Sequence, residues 1–249
     1  MKKKVHFVHR IKHYFFIGVI VKRLFSIAGN NWPKKLIYMK LESIRKEYKF
    51  AELSENNIGI NPFIQFDHWM NEALRSKVNE PTAMSVSTIG KDGFPKSRIV
   101  LLKNYDEYGF IFFTNYHSQK GLAIADYPKV SLHFFWPELE RQIRITGLAQ
   151  KTSAEVSDRY FASRPILSQL SAVVSSQSEK IPSREFLEVK LNQLKTELKN
   201  NTPKRPENWG GFQVIPVKFE FWQGRENRLH DRILYEKKNS DWLISRLSP

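Results

Sequence analysis

Arg225, Arg228, His230 and Arg232 fall within eight residues near the end of the sequence, beside Trp222 and the acids Glu220 and Asp231. On an extended strand, a period of two would turn Arg228, His230 and Arg232 to one face. Three cationic or switchable groups on one face repel unless an anion or carboxylate stands against them. Guanidinium forks suit phosphate and carboxylate oxygens. The residues alone allow two readings: an anion-binding face, or a solvated edge strand whose arginines pair with Glu220 and Asp231. Trp222 by itself reads as core more readily than as a stacking platform.

Other clusters offer related chemistry. In Arg98-Ile99-Val100-Leu101-Leu102-Lys103 two cations bracket an apolar strand interior. Thr114 to Gly121 is a polar loop entering a helix, where free N–H groups and Lys120 could hold an anion. Tyr160, Arg164 and Ser168 are spaced i, i+4, i+8 and would suit a phosphate monoester, although Pro165 interrupts a continuous helix there. Gln142, Gln177 and Ser178 could address the edge of a heterocycle. Each also has a plain reading: a strand with charged ends, a capped loop, a helix terminus or ordinary surface.

The elements that must position these groups follow from periodicity. Apolar spacing predicts helices over 41–50 and 65–78, separated by Asn61-Pro62. Residues 82–88 and 97–102 alternate about the turn Gly90-Lys91-Asp92-Gly93 and predict a hairpin. Further strands are predicted over 110–114, 130–136, 142–150, 212–222, 229–237 and 242–246, with helices near 120–125, 153–163 and 184–199. The interval from Pro165 to Pro182 is rich in Ser and Gln and carries no predicted element. Many strands joined without long helices favour an α+β fold, mainly β, with an antiparallel barrel flanked by helices.

The 249 residues suffice for one such domain, expected over 39–249. With no cysteine, disulfides, thiolate metal sites and cysteine nucleophiles are excluded, and no metal site is expected. The net charge of +15 is uneven: residues 1–38 hold nine Lys or Arg and no acid, leaving 31 basic against 25 acidic residues elsewhere. The body is only mildly basic and lacks an RNA-binding signature, so no nucleic-acid partner is expected. In the basic extension, the apolar run 14–21 is too short to cross a bilayer. A secretory signal, organellar targeting, membrane-surface contact, or a start of translation at Met39 or a dispensable tail are the readings of residues 1–38, with a cytoplasmic location expected. The G-x-G-x-x-G, P-loop, H-E-x-x-H and G-x-S-x-G motifs are all missing.

The segments NPFIQFDHW, EPTAMSVST, RIVLLK, FFTNYHSQKG, FFWPELERQIRITG, YFASRPILSQLSAVVSSQS and NWGGF occur in order, followed by FEFWQGRENRLHDR. Together they resemble the pyridoxamine 5′-phosphate oxidase family, from about Arg45 to Pro249. The resemblance implies an FMN-binding split β-barrel, antiparallel and Greek-key-like, working as a homodimer with FMN at the subunit interface. It places FMN against Arg98, Ile99, Val100, Leu101, Leu102 and Lys103, then Phe113, Thr114, Gln119 and Lys120, and finally Gln142, Gln177, Ser178, Trp222 and Arg232. It assigns the substrate phosphate to Lys103, Tyr160, Arg164 and Ser168, sets Arg228 and His230 against the pyridine ring as catalytic residues, and makes Arg45 and Tyr48 a lid.

The implied reaction is oxidation of pyridoxamine or pyridoxine 5′-phosphate by O2 to pyridoxal 5′-phosphate, with peroxide released, and ammonia from the amine. A barrel that binds the flavin or a B6 phosphate without oxidase activity is the alternative. Gln119 departs from the pattern, since many members carry Arg or Lys there.

Overall fold

The structure, a computed structural model, describes residues 46–199 and 201–249. The extension over 1–38 and the expected lid residue Arg45 lie outside the described residues. Strand alternation sets the architecture. In β1 (Ala83–Ile89), Met84, Val86 and Thr88 turn inward while their neighbours are partly exposed, as period-two geometry requires of a half-buried strand. The same alternation runs through β5 (Lys129–Trp136) and β6 (Arg141–Lys151). With β2 (Pro95–Leu101), β3 (Asn104–Asp106), β4 (Gly109–Asn115), β7 (Trp209–Gln223), β8 (Asp231–Lys238) and β9 (Asp241–Arg246) they form one antiparallel sheet.

The order β2-β1-β5-β6-β7-β4-β3 wraps the sheet around its core, and β8 and β9 extend it from the far half of β7. β2 pairs only with β1, and β4 only with β3 and β7, so a seam stays open between β2 and β4. This is the split barrel, α+β and mainly β, with five flanking helices among the described residues. β7 pairs with β6 along one edge and serves two neighbours on the other, its first half pairing with β4 and its second with β8. A register shift opposite it at Thr146/Gly147 bends the ladder. Gly147 is needed at that bend, because a Cβ there would collide with the Ile215 carbonyl.

Helix α1 (Pro62–Arg75) closes the core. Asn61 caps it by accepting the Phe63 N–H at 2.9 Å, with Pro62 in the first turn. Phe66, Trp69, Met70 and Ala73 recur at helical spacing and are all buried. Phe66 meets Tyr105, Phe110 and Phe134 with centroids 4.9, 4.8 and 5.3 Å away. Removing such a buried ring costs about 3–5 kcal/mol. Helices α2 (Gln119–Asp126), α3 (Ala154–Ser163), α4 (Ile166–Val174) and α5 (Arg184–Leu198) lie outside the sheet order; Ser118, Ser153 and Ser183 cap α2, α3 and α5. Residues 47–249 make one compact unit.

Four expectations change. Residues 46–50, the described part of the helix predicted over 41–50, are irregular, because a side chain captures the Lys49 and Phe50 N–H groups. Helix α1 starts three residues before the predicted Gln65 and stops at Arg75, since Lys77 turns to a φ of 55°. The stretch after Pro165 holds α4, started by the proline itself. Finally, β8 begins at Asp231 rather than Leu229; Glu226–Arg228 is a 3-10 turn, with Asn227 and Arg228 at φ 55° and 63°. Arg228, His230 and Arg232 therefore do not share the face of one strand.

Candidate active site

A cleft of about 1040 Å³ opens at the seam. β2 lends Arg98, Ile99, Val100 and Leu101, and the residue soon after it, Lys103, stands at the rim. β4 gives Phe113 and Thr114, the start of α2 gives Gln119 and Lys120, and α3, α4 and the chain after them give Tyr160, Arg164, Ser168, Gln177 and Ser178. Three clusters distant in the sequence thus meet in one cavity. Leu102 does not join them. It is the inward member of its alternation, 4% exposed in the core, with its N–H bonded to the Thr82 carbonyl.

Among the described residues, the cleft is lined by Lys96, Arg98, Lys103, Lys120 and Arg164 and by no carboxylate. Of these, Lys96 pairs with Asp92 at 2.7 Å. Lys120 is buried, and its ammonium donates only to neutral oxygens: Thr114 Oγ1 at 3.0 Å, Gln177 Oε1 at 3.1 Å and Ser118 Oγ at 3.2 Å. Burial, helped by the nearby Arg98 charge, lowers its pKa to about 8. Arg98 likewise donates to the Lys96 and Val86 carbonyls and to Thr88 Oγ1. Burial lowers its pKa too.

Arg164 stacks over Trp209, 4.7 Å from the ring centroid. Its Nη1 is buried without a hydrogen-bond partner. An orphaned guanidinium nitrogen is expensive unless an anion completes it. Beside it, Tyr160 stacks on Phe113 at 3.9 Å. The donor set fits phosphorylated ligands: Lys120, Arg98, Thr114 and Ser178 can hold one phosphate, and Arg164, Tyr160, Ser168 and Lys103 a second.

The remaining predicted residues gather elsewhere. Gln142, Trp222 and Arg232 lie opposite one another across β6, β7 and β8, and none of them lines the cleft. Trp222 sits on the order of 35 Å of strand contour beyond Gly211, the partner of Phe113. Arg232 is held by Glu220 at 2.9 Å and by the Ser248 carbonyl at 2.8 Å, which is the acid pairing that the sequence left open.

His230 packs against Trp222 and Tyr48, with centroids at 4.7 and 5.7 Å. Its Nδ1 accepts the Arg225 N–H at 3.1 Å, so the ring proton of the neutral form belongs on Nε2. Burial, and then the Arg228 charge, lowers its pKa, against an opposing pull from Asp231. Arg228 is exposed on its 3-10 turn. Arg225, without a role in the sequence reading, fixes this tautomer through its backbone and pairs with Glu52 at 2.8 Å.

Comparison with known proteins decides the family. The family model described as "Pyridoxamine 5'-phosphate oxidase" matches residues 70–197, and "Pyridoxine 5'-phosphate oxidase C-terminal dimerisation region" matches 209–249. The chain belongs to the pyridoxamine 5′-phosphate oxidase family. It is 55% identical over 210 residues to a pyridoxine/pyridoxamine 5′-phosphate oxidase of Flavobacterium johnsoniae, covering 84% of this chain and 98% of that one. A protein of the same name from Nostoc punctiforme is 50% identical over 207 residues, 83% and 97% of the two chains. Among solved structures, PhzG from Burkholderia lata, in complex with tetrahydrophenazine-1-carboxylic acid, matches with a TM-score of 0.77 and 26% identity over 82% of this chain and all of that one. An FMN binding protein from Nostoc punctiforme shares the fold at a TM-score of 0.62 and 16% identity, covering 77% and 100%.

Within this oxidase-family barrel, sequence reasoning missed Trp209, Asn115 and Glu140. Trp209 carries the Arg164 stack, and Asn115 lines the cleft and donates to the Ser175 carbonyl at 3.4 Å. The segment NWGGF pointed at Trp209, but nothing local distinguishes its indole from core.

Proposed function

We propose that this protein is an FMN-dependent oxidase that converts pyridoxamine 5′-phosphate and pyridoxine 5′-phosphate to pyridoxal 5′-phosphate, using O2. The observation that carries this reading is a cleft lined by no carboxylate among the described residues, with a buried Lys120 and a buried, unpartnered Nη1 on Arg164, in a chain whose relatives at 50–55% identity bear that oxidase name. Bound FMN would supply the redox chemistry, taking two electrons from the substrate and passing them to O2. The protein's part is to bind and orient. Lys120, Arg98, Thr114 and Ser178 hold the flavin phosphate. Arg164, Tyr160, Ser168 and Lys103 clamp the substrate phosphate away from the reacting carbon.

The site takes its other wall from a second copy. Within one chain, Trp222, Arg228, His230 and Arg232 do not line the cleft, and the chain carries the family's dimerisation region. The outer sheet face between the two groups exposes Ile99, Leu101, Phe135 and Leu148, which share one side by ladder register. A homodimer with two-fold symmetry covers that face and brings Arg228 and His230 of each copy to the cleft of the other. There Nε2–H of a neutral His230 donates to the substrate, and Arg228 steers the ring.

Anaerobic titration of the purified, FMN-loaded protein tests the activity. Pyridoxine 5′-phosphate is expected to bleach the visible flavin absorption, and air to restore it with uptake of O2. Flavin that binds but never bleaches would make the protein a carrier; a protein that cannot be reconstituted with FMN would refute both readings.

A further inference from the structure

Glu140 ends the turn between β5 and β6 at a φ of 55° and is 7% exposed. Its Oε2 accepts two consecutive backbone N–H groups, Lys49 at 2.7 Å and Phe50 at 3.0 Å. Its carbonyl accepts the Gly224 N–H at 2.8 Å. A single residue therefore ties the segment 47–53 to the end of β7. Tyr48, just before the captured amides, puts its ring edge-on to both Trp222 and His230, 5.7 Å from each. Gly224 leaves room for it, since a Cβ at that position would lie 2.7 Å from Tyr48 Cγ.

Two ion pairs on this segment are weaker in kind. Lys49 and Glu226 meet at 3.1 Å with side chains 64% and 54% exposed, and Glu52, the partner of Arg225, is 71% exposed. Exposed pairs hold a segment poorly, whereas a buried carboxylate accepting two N–H groups holds it well. Asp231 fixes the far end through the Leu53 N–H at 3.1 Å.

We propose that Glu140 is a positioning residue. Its carboxylate fixes segment 47–53 so that Tyr48 closes over His230 and Trp222, and substrate affinity depends on that closure. Glu140 itself touches no substrate. The inference rests on the oxidase reading above.

Hydrogen exchange and steady-state kinetics on the FMN-loaded enzyme test it, using Glu140→Ala, Glu140→Gln and Gly224→Ala. In Glu140→Ala the Lys49 and Phe50 amides should exchange about tenfold faster or more, as the loss of charge-assisted bonds implies. The KM for pyridoxine 5′-phosphate should rise by a similar factor, with flavin absorption unchanged and kcat altered less. Glu140→Gln, which keeps one oxygen for both amides, should recover most of the loss. Gly224→Ala should raise KM while Glu140 keeps its amides protected, and it carries the test if Glu140→Ala fails to fold. Wild-type exchange rates in Glu140→Ala would overturn the latch. Faster exchange with wild-type KM in both Glu140→Ala and Gly224→Ala would overturn its role in the site. If the wild-type protein turned over no B6 phosphate, the oxidase reading and the substrate half of this proposal would fall, while the exchange rates would still decide the latch.

Discussion

The seam cleft and the far end of β7 are both rich in arginine, lysine or histidine, yet they treat charge in opposite ways. At the end of β7, Arg232 and Arg144 share Glu220, Arg225 meets Glu52 and Asp231, and Arg246 meets Glu55 and Asp231. Of the cations lining the cleft, Lys96 alone has such a partner among the described residues; Lys120 is left among neutral oxygens and Arg164 keeps an orphaned donor. Matched charges build structure, whereas buried unmatched charges store binding capacity for an anion. On the proposed function, the cleft is the phosphate-binding half of the site. On the same proposal the β7 end, with its Tyr48–Trp222–His230 cluster and the exposed Arg228, is the half that meets the substrate ring.

Perturbing one region at a time sharpens this division. The largest effect is expected at the ring-facing end: Arg228→Ala should lower kcat by about a hundredfold through loss of orientation, while FMN, held by the other region, stays bound. Loss of the visible flavin spectrum in that variant would mean that the two regions are not separable.

A smaller effect, on binding and not on turnover, is expected in the cleft. Lys120→Met should weaken FMN about tenfold, the worth of one charge-assisted contact. The pH dependence gives the sharper readout. Burial lowers the Lys120 pKa to about 8, so below that pH it is charged and attracts the phosphate, which is a dianion above about 6. FMN affinity should therefore fall as pH rises through about 8 in the wild type, and this fall should vanish in Lys120→Met. A wild-type affinity that stays flat across that range would break the link between the depressed lysine and the phosphate.

The fold was largely legible because alternation is a strong signal. The hairpin of β1 and β2 and the strand pair β5 and β6 follow from side-chain period, whereas the start of α1 lay three residues before the predicted Gln65, at the Asn61-Pro62 cap that read only as a break. Segment 46–50 was not legible, since its helical spacing was overruled by a carboxylate 90 residues away in the sequence. The turn at Glu226–Arg228 was hidden for a related reason: Asn227 and Arg228 adopt positive φ, which no apolar pattern announces. In the site, residue types pointed to Lys120 and Arg164 as anion-binding candidates, and the structure brings both to one cleft. Spacing could not reveal that Leu102 points into the core while Lys103 reaches the rim, or that Arg232 answers to Glu220. Those depend on which face of a strand is covered and by what.

The central claim is that each site joins the cleft of one copy to the Arg228 and His230 end of another. Mixing two inactive chains tests it most directly. Arg164→Ala disables the cleft and Arg228→Ala the ring-facing end. When the two variants are unfolded and refolded together with FMN, half of the dimers are mixed, and each mixed dimer holds one site free of either mutation. The two-copy site predicts recovery of about a quarter of wild-type turnover, as two-fold symmetry dictates. If each site were built within a single chain, every site in the mixture would carry a mutation, and activity no higher than that of the parent variants would contradict the account.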